Sequence, residues 1–95
     1  MEAIVAHFDV ADMSVQQYDQ VLNDLGGIGA GCLHHVASLR PNGGMVVIDT
    51  WESEEALDEF SKTLIPILQK NGVTPTQPTI LRVHNMLTGA PVAAH

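Results

Sequence analysis

Val46-Val47-Ile48-Asp49-Thr50-Trp51-Glu52-Ser53-Glu54-Glu55-Ala56-Leu57-Asp58-Glu59-Phe60 is a β-branched run that stops at a tryptophan and passes at once into a helix start. Residues 46–51 suit a pleated, half-buried surface. Ser53 is a good N-cap, because its hydroxyl can accept a hydrogen bond from an otherwise orphaned amide of the first turn. Glu54 and Glu55 then meet the positive end of the helix dipole. Leu57, Phe60, Leu64, Ile67 and Leu68 continue as an apolar stripe at helical period. The stretch therefore predicts a central strand joined directly to a helix that packs back on it.

Working outward, Pro41-Asn42-Gly43-Gly44 is a tight turn, and Asn-Gly is a strong short hairpin signal. It joins a strand over residues 33–39 to the central strand in antiparallel fashion. Residues 3–8 form a further strand, with Ile4, Ala6 and Phe8 on one face and Val5 and His7 on the other. Ser14 opens a helix with Gln17 three residues on, the capping-box spacing. Its stripe of Tyr18, Val21, Leu22 and Leu25 ends at Gly26-Gly27, where glycine accepts the left-handed conformation. The glycines from Gly27 to Gly31 lack a phosphate-loop lysine and follow a helix rather than a strand, so they do not read as a phosphate site. Pro66 lies inside the second helix and is expected to bend or break it at residues 62–65. The last strand is expected over residues 79–87, and residues 88–95 read as a small-residue tail.

Strand, helix, strand, strand, helix, strand is the order of ferredoxin-like folds: a four-stranded antiparallel sheet with two helices on one face. We therefore expect one α+β domain over residues 1–87. The other sheet face, expected to carry Val5, Met45, Val47 and Trp51, would be left bare, and an apolar patch of that size does not stay in water. Two such sheets facing each other would close into an α+β barrel, a symmetric homodimer. At 95 residues, with 45% apolar and 16% charged residues, the chain is rich in apolar residues for its size, which favours a second buried face. A net charge of -7 with four Lys and Arg in all argues against nucleic acid, which needs clustered cations. Cys32 is the only cysteine, so no internal disulfide forms and a reducing, cytoplasmic location is expected. No signal-peptide pattern opens the chain and no apolar run reaches the roughly 18 residues of a membrane span.

Ser14-x-x-x-Tyr18, His35-Val36-Ala37, Asp49-x-Trp51-Glu52-Ser53, Phe60, Leu64-x-Pro66 and Val83-His84-Asn85 together resemble the dimeric α+β barrel superfamily. The likeness is in particular to its small antibiotic biosynthesis monooxygenase-like proteins, and it spans residues 4–87. The resemblance implies a homodimer and a pocket for an apolar or aromatic small molecule. The superfamily includes cofactor-free monooxygenases, haem-degrading enzymes, polyketide cyclases, isomerases and members without known activity, and a shared fold does not choose among them.

His7, His34, His35 and His84 lie on predicted strands and suit acid-base work near neutral pH. Their alternative role is structural, each satisfied by a backbone carbonyl or at a dimer seam. Which of His34 and His35 shares a face with Trp51 depends on the hairpin loop, since a one-residue shift flips the strand. A two-residue turn places His34 there and a three-residue loop with a bulge places His35; the resemblance, running through His35-Val36-Ala37, favours His35. Asp49 shares a face with Val47 and Trp51, so if buried it must be paired or protonated, and a histidine would serve as its partner. We expect His35, Asp49 and His84 as catalytic residues, and His7, His34, Trp51 and Met86 as substrate-binding ones. Adjacent His34 and His35 point to opposite faces and cannot chelate together, so no metal is expected. In haem-degrading relatives a tryptophan after this strand lines the haem pocket, but the helix here offers no axial histidine after Phe60, and no cofactor is expected. The acidic run Glu52 to Glu59 reads as a solvated helix start. The resemblance implies a cofactor-independent oxidation of a phenolic or enolisable molecule by a buried histidine base. A cyclase or isomerase would use the same base, and a non-catalytic ligand-binding or structural dimer would need none.

Overall fold

The computed structural model describes residues 2–89. Its elements are β1 (Ile4–Val10), α1 (Val15–Leu25), β2 (Cys32–Leu39), β3 (Met45–Trp51), α2 (Glu54–Lys70) and β4 (Thr79–Arg82). The strands form one antiparallel sheet in the order β2-β3-β1-β4. Both helices pack on one face of it, which makes the fold ferredoxin-like α+β.

Local chemistry sets the helix ends where the sequence predicts them. Ser14 Oγ accepts from the Gln17 amide at 3.1 Å while the Ser14 amide donates to Gln17 Oε1 at 2.9 Å, a complete capping box. Gly26 closes α1 at φ 71°. Ser53 Oγ accepts from the Ala56 amide at 3.1 Å. The two helices are tied at one end by Asn71, whose side-chain amide donates to Asp24 Oδ2 at 3.0 Å and whose carbonyl accepts from Gln17 Nε2 at 3.1 Å.

The core lies between helices and sheet in two linked groups. Val10, Met13, Met45, Val47 and Val73 pack with Tyr18 and Leu68; Ile4, Ala6, Trp51 and Leu57 pack with Phe60 and Ile80. Phe8 touches both groups.

Three expectations are corrected. The helix α2 runs unbroken through Pro66. Pro66 lies on the exposed side of the helix, where the Lys62 carbonyl that loses its amide partner can turn to water, so the apolar stripe keeps its packing. The last strand ends at Arg82 rather than residue 87: its partner β1 begins at Ile4, and after the Val83 amide donates to the Ala3 carbonyl at 2.9 Å the pairing has run out. Residues 84–89 therefore lack strand pairing, and the expected tail lies outside the described residues from residue 90 onward.

The third correction concerns the faces of the sheet. Met45, Val47 and Trp51 pair across from Val10, Phe8 and Ile4 and are buried under the helices. The outer face instead carries Val5, Val46 and the exposed Val36, Ile48 and Leu81, which are 57%, 42% and 59% exposed. Both faces of β3 are apolar, so alternation alone could not orient it. The helix α2 decides, since it starts directly after Trp51 and lays Leu57 and Phe60 over that ring.

Candidate active site

The hairpin between β2 and β3 fixes which side chains enter the site. Arg40 donates its amide to the Gly44 carbonyl at 3.1 Å, and Gly43 donates to the Arg40 carbonyl at 3.2 Å, so Pro41, Asn42 and Gly43 form a three-residue loop. Gly43 takes the left-handed position at φ 95° that such a loop requires. At Gly44, φ 82°, a Cβ would collide with the backbone carbonyl of Ala11, so a side chain is excluded on two counts. With this register His35 stands opposite Asp49, and a bulge between Cys32 and His34 absorbs Leu33 so that Cys32 faces Trp51.

His35 and Asp49 thus emerge side by side on the helix-facing side of the sheet, with His35 Nδ1 2.6 Å from Asp49 Oδ1. Tyr18, reaching down from α1, places its hydroxyl 2.6 Å from His35 Nε2. The two rings lie nearly parallel, at 10° with centroids 5.9 Å apart. Behind them Trp51 Nε1 donates to Asp49 Oδ2 at 3.3 Å. An indole N–H can only donate, so Asp49 Oδ2 accepts, and as a carboxylate Asp49 accepts at Oδ1 as well. Nδ1 of His35 then carries the proton and donates to Asp49, which leaves the Nε2 lone pair to accept from the Tyr18 hydroxyl. Buried Asp49 is therefore paired, as a carboxylate in that position must be.

These groups face a cavity of about 450 Å³ between sheet and helices, within the usual range of small-molecule sites, about 300–1,000 Å³. Its walls are chiefly apolar, with Phe8 from β1, Val21 and Leu22 from α1, and Phe60, Leu64 and Leu68 from α2. The segment after α2, residues 74–78, contributes to the lining. Asp58 and Glu54 also line the cavity, and among the described residues no Lys or Arg does.

Burial, then the charge of Asp49, then that of Asp19 hold the Tyr18 phenol above its ordinary value. Burial first, and Asp49 second, push the Cys32 thiol up to about 11, so it stays a neutral packing group. The chain has one tyrosine, which makes the first shift directly measurable. Titration of the tyrosinate ultraviolet band is expected to have its midpoint above the free-phenol value of about 10. Asp49→Asn should move the midpoint partway down, leaving the parts due to burial and to Asp19. In the folded state the phenol keeps its proton where the unfolded chain has released it. This contribution to stability is whole below about pH 10 and is lost as pH rises through the folded midpoint. A wild-type midpoint at or below the free-phenol value would contradict the buried placement of the hydroxyl.

Of the seven residues expected at the site, the fold brings together His35 and Asp49. Trp51, fully buried, stands behind Asp49 and does not line the cavity. His7 and His34 lie on the outer face of the sheet, where His34 Nδ1 is 3.1 Å from Thr50 Oγ1. His84 is exposed in the segment after β4, in a shallow depression with Glu2 and Arg82, and Met86 is also exposed. Both follow the point where β4 loses its partner, so strand alternation no longer directs them. Helical spacing places Tyr18 on an apolar stripe and does not mark it as a site residue. The available signal was its hydroxyl, since a tyrosine on a buried stripe needs a polar partner. Among the described residues no three His, Cys, Asp or Glu side chains converge to hold a metal.

No family model matches the chain. No curated protein matches it in sequence. Its fold is similar to that of a "putative antibiotic biosynthesis monooxygenase" from Deinococcus radiodurans, with a TM-score of 0.56 and 15% identity over 96% of this chain and 100% of that one. A conserved protein from Methanosarcina mazei Go1 aligns with a TM-score of 0.46 and 14% identity over 90% of this chain and 92% of that one. The chain thus shares the ferredoxin-like α+β fold of the Deinococcus protein.

Proposed function

We propose that this chain is a small cofactor-independent monooxygenase of an uncharged phenolic or enolisable molecule, with His35 as base and Asp49 as its orienting partner. The observation that carries the reading is the Tyr18, His35 and Asp49 chain facing an apolar cavity of ligand size. The three carboxylates in the lining, Asp49, Glu54 and Asp58, favour a ligand without negative charge. Removal of the phenolic proton makes an electron-rich ring. Its para carbon bonds one atom of O2, and loss of water from the hydroperoxide leaves a quinone, so that phenol plus O2 gives quinone plus water. The likeness in fold to the Deinococcus protein is consistent with this reading.

Oxygen consumption with 1-naphthol, and identification of the naphthoquinone by mass, tests it. Uptake that is stoichiometric with quinone and lost in His35→Ala supports the monooxygenase. Absence of uptake, combined with His35-dependent deuterium exchange into an enolisable ketone, would replace it with an isomerase or cyclase using the same base. Absence of both would leave a non-catalytic binding protein.

The working unit of this reading is a homodimer in the cytoplasm. Val5, Val36, Ile48 and Leu81 on the outer sheet face support self-association, because a second copy of that face would cover them. Sedimentation equilibrium at micromolar concentration should give twice the chain mass, and Ile48→Lys should reduce it toward that of one chain. A single-chain mass for the wild type would refute the dimer. No helix among the described residues is long and apolar enough to cross a membrane.

A further inference from the structure

We infer that Tyr18, rather than His35, is the residue that receives the substrate hydroxyl, and that it passes its own proton on to His35. The inference rests on the proposed base, and deepens it. His35 presents no free lone pair to the cavity: Nδ1 is committed to Asp49 and Nε2 to the Tyr18 hydroxyl, each at 2.6 Å. A ligand therefore meets a phenol oxygen that is donating its own proton but still has lone pairs with which to accept. A substrate hydroxyl donating to that oxygen completes a line of three hydrogen bonds ending at Asp49.

The proton count closes along this line. The substrate O–H bond breaks as its proton joins Tyr18 Oη, the Tyr18 O–H bond breaks as that proton joins His35 Nε2, and the charge left on the substrate is balanced by an imidazolium facing Asp49. Tyr18 begins and ends neutral. That agrees with its environment, because the buried phenol beside Asp49 resists standing as an anion, so the two protons move together rather than through a resident tyrosinate. Tyr18 is a catalytic residue by this assignment, and His35 accepts at one remove.

The test compares 1-naphthol with naphthalene, bound without oxygen so that no turnover intervenes, in the wild type and in Tyr18→Phe. Naphthol is expected to bind the wild type about three- to tenfold more tightly than naphthalene, the margin of one net hydrogen bond. In Tyr18→Phe that margin should vanish while naphthalene binds as before, and naphthol oxidation should fall about 10²- to 10⁴-fold. The wild-type rate in mixtures of light and heavy water should depend on deuterium fraction along a curve, as two moving protons require. The tyrosine C–O stretch, isolated by ring labelling, should shift with naphthol and not with naphthalene, which serves if Tyr18→Phe does not fold. A margin that survives in Tyr18→Phe, or a C–O stretch that ignores naphthol, overturns the relay while leaving the base intact. Failure of both probes to bind the wild type overturns the relay and the proposed ligand class together.

Discussion

Asp49→Asn is expected to lower turnover of any phenol that the wild type oxidises by about 10²- to 10⁴-fold, the range of a lost general base. The reason is a conflict of donors. Position 49 must accept from the Trp51 indole at 3.3 Å and from His35 Nδ1 at 2.6 Å. An asparagine has one oxygen for the two tasks. If the oxygen serves Trp51, its NH2 group faces His35 and forces the imidazole into the other tautomer, whose Nε2 carries a proton and cannot act as a base. If the oxygen serves His35, the buried indole N–H is left facing another donor, at the cost of an unsatisfied group. The substitution also removes the charge that would stabilise the imidazolium. His35→Ala should lose a similar factor, and the double substitution little more, because the two act as one unit. Steady-state kinetics of the three variants decide the matter. Fully additive losses would show that the two do not act as one unit, and near wild-type rates in both single variants would make the pair a structural link across the sheet.

Trp51→Ala is expected to destabilise the fold by about 3–5 kcal/mol, the range for truncating a large aromatic in a packed core. Trp51 has no exposed surface and packs against Phe60 with ring centroids 5.2 Å apart. Its partners Ile4, Ala6 and Leu57 come from two strand and helix elements that the ring holds together. In urea, the midpoint should fall with little change of slope, since the loss is one of stability and not of the unfolded state. The variant also frees Asp49 Oδ2, so ligand binding should weaken in whatever fraction remains folded. Trp51→Phe keeps most of the burial and removes only the indole donor, and it should therefore cost much less. A loss under about 0.5 kcal/mol in Trp51→Ala would place the ring outside the core.

Much of the architecture was legible because it is encoded locally. Ser14 with Gln17, Ser53 with two glutamates, Gly26, and the turn at Pro41-Asn42-Gly43 are signals read within a few residues, and each fixes an element end without help from the rest of the chain. Their order then leaves few topologies besides the ferredoxin-like one. That Asp49, if buried, needs a partner also followed from the apolar strand around it.

What lay beyond the sequence was each choice that depends on a distant element. Strand β3 is apolar on both faces, and only the return of α2 over Trp51 decided which face is core. Pro66 carries a local penalty that its position on the solvent side of α2 relieves. Strand β4 stops at Arg82 because its partner begins at Ile4, a fact of pairing rather than propensity. His34 and His35 are equivalent by composition, and the length of the hairpin loop separates them. Tyr18 meets His35 from a helix 17 positions away. Strand and helix periods place a side chain on a face, but two faces from different elements meet at one atom only after the chain has folded.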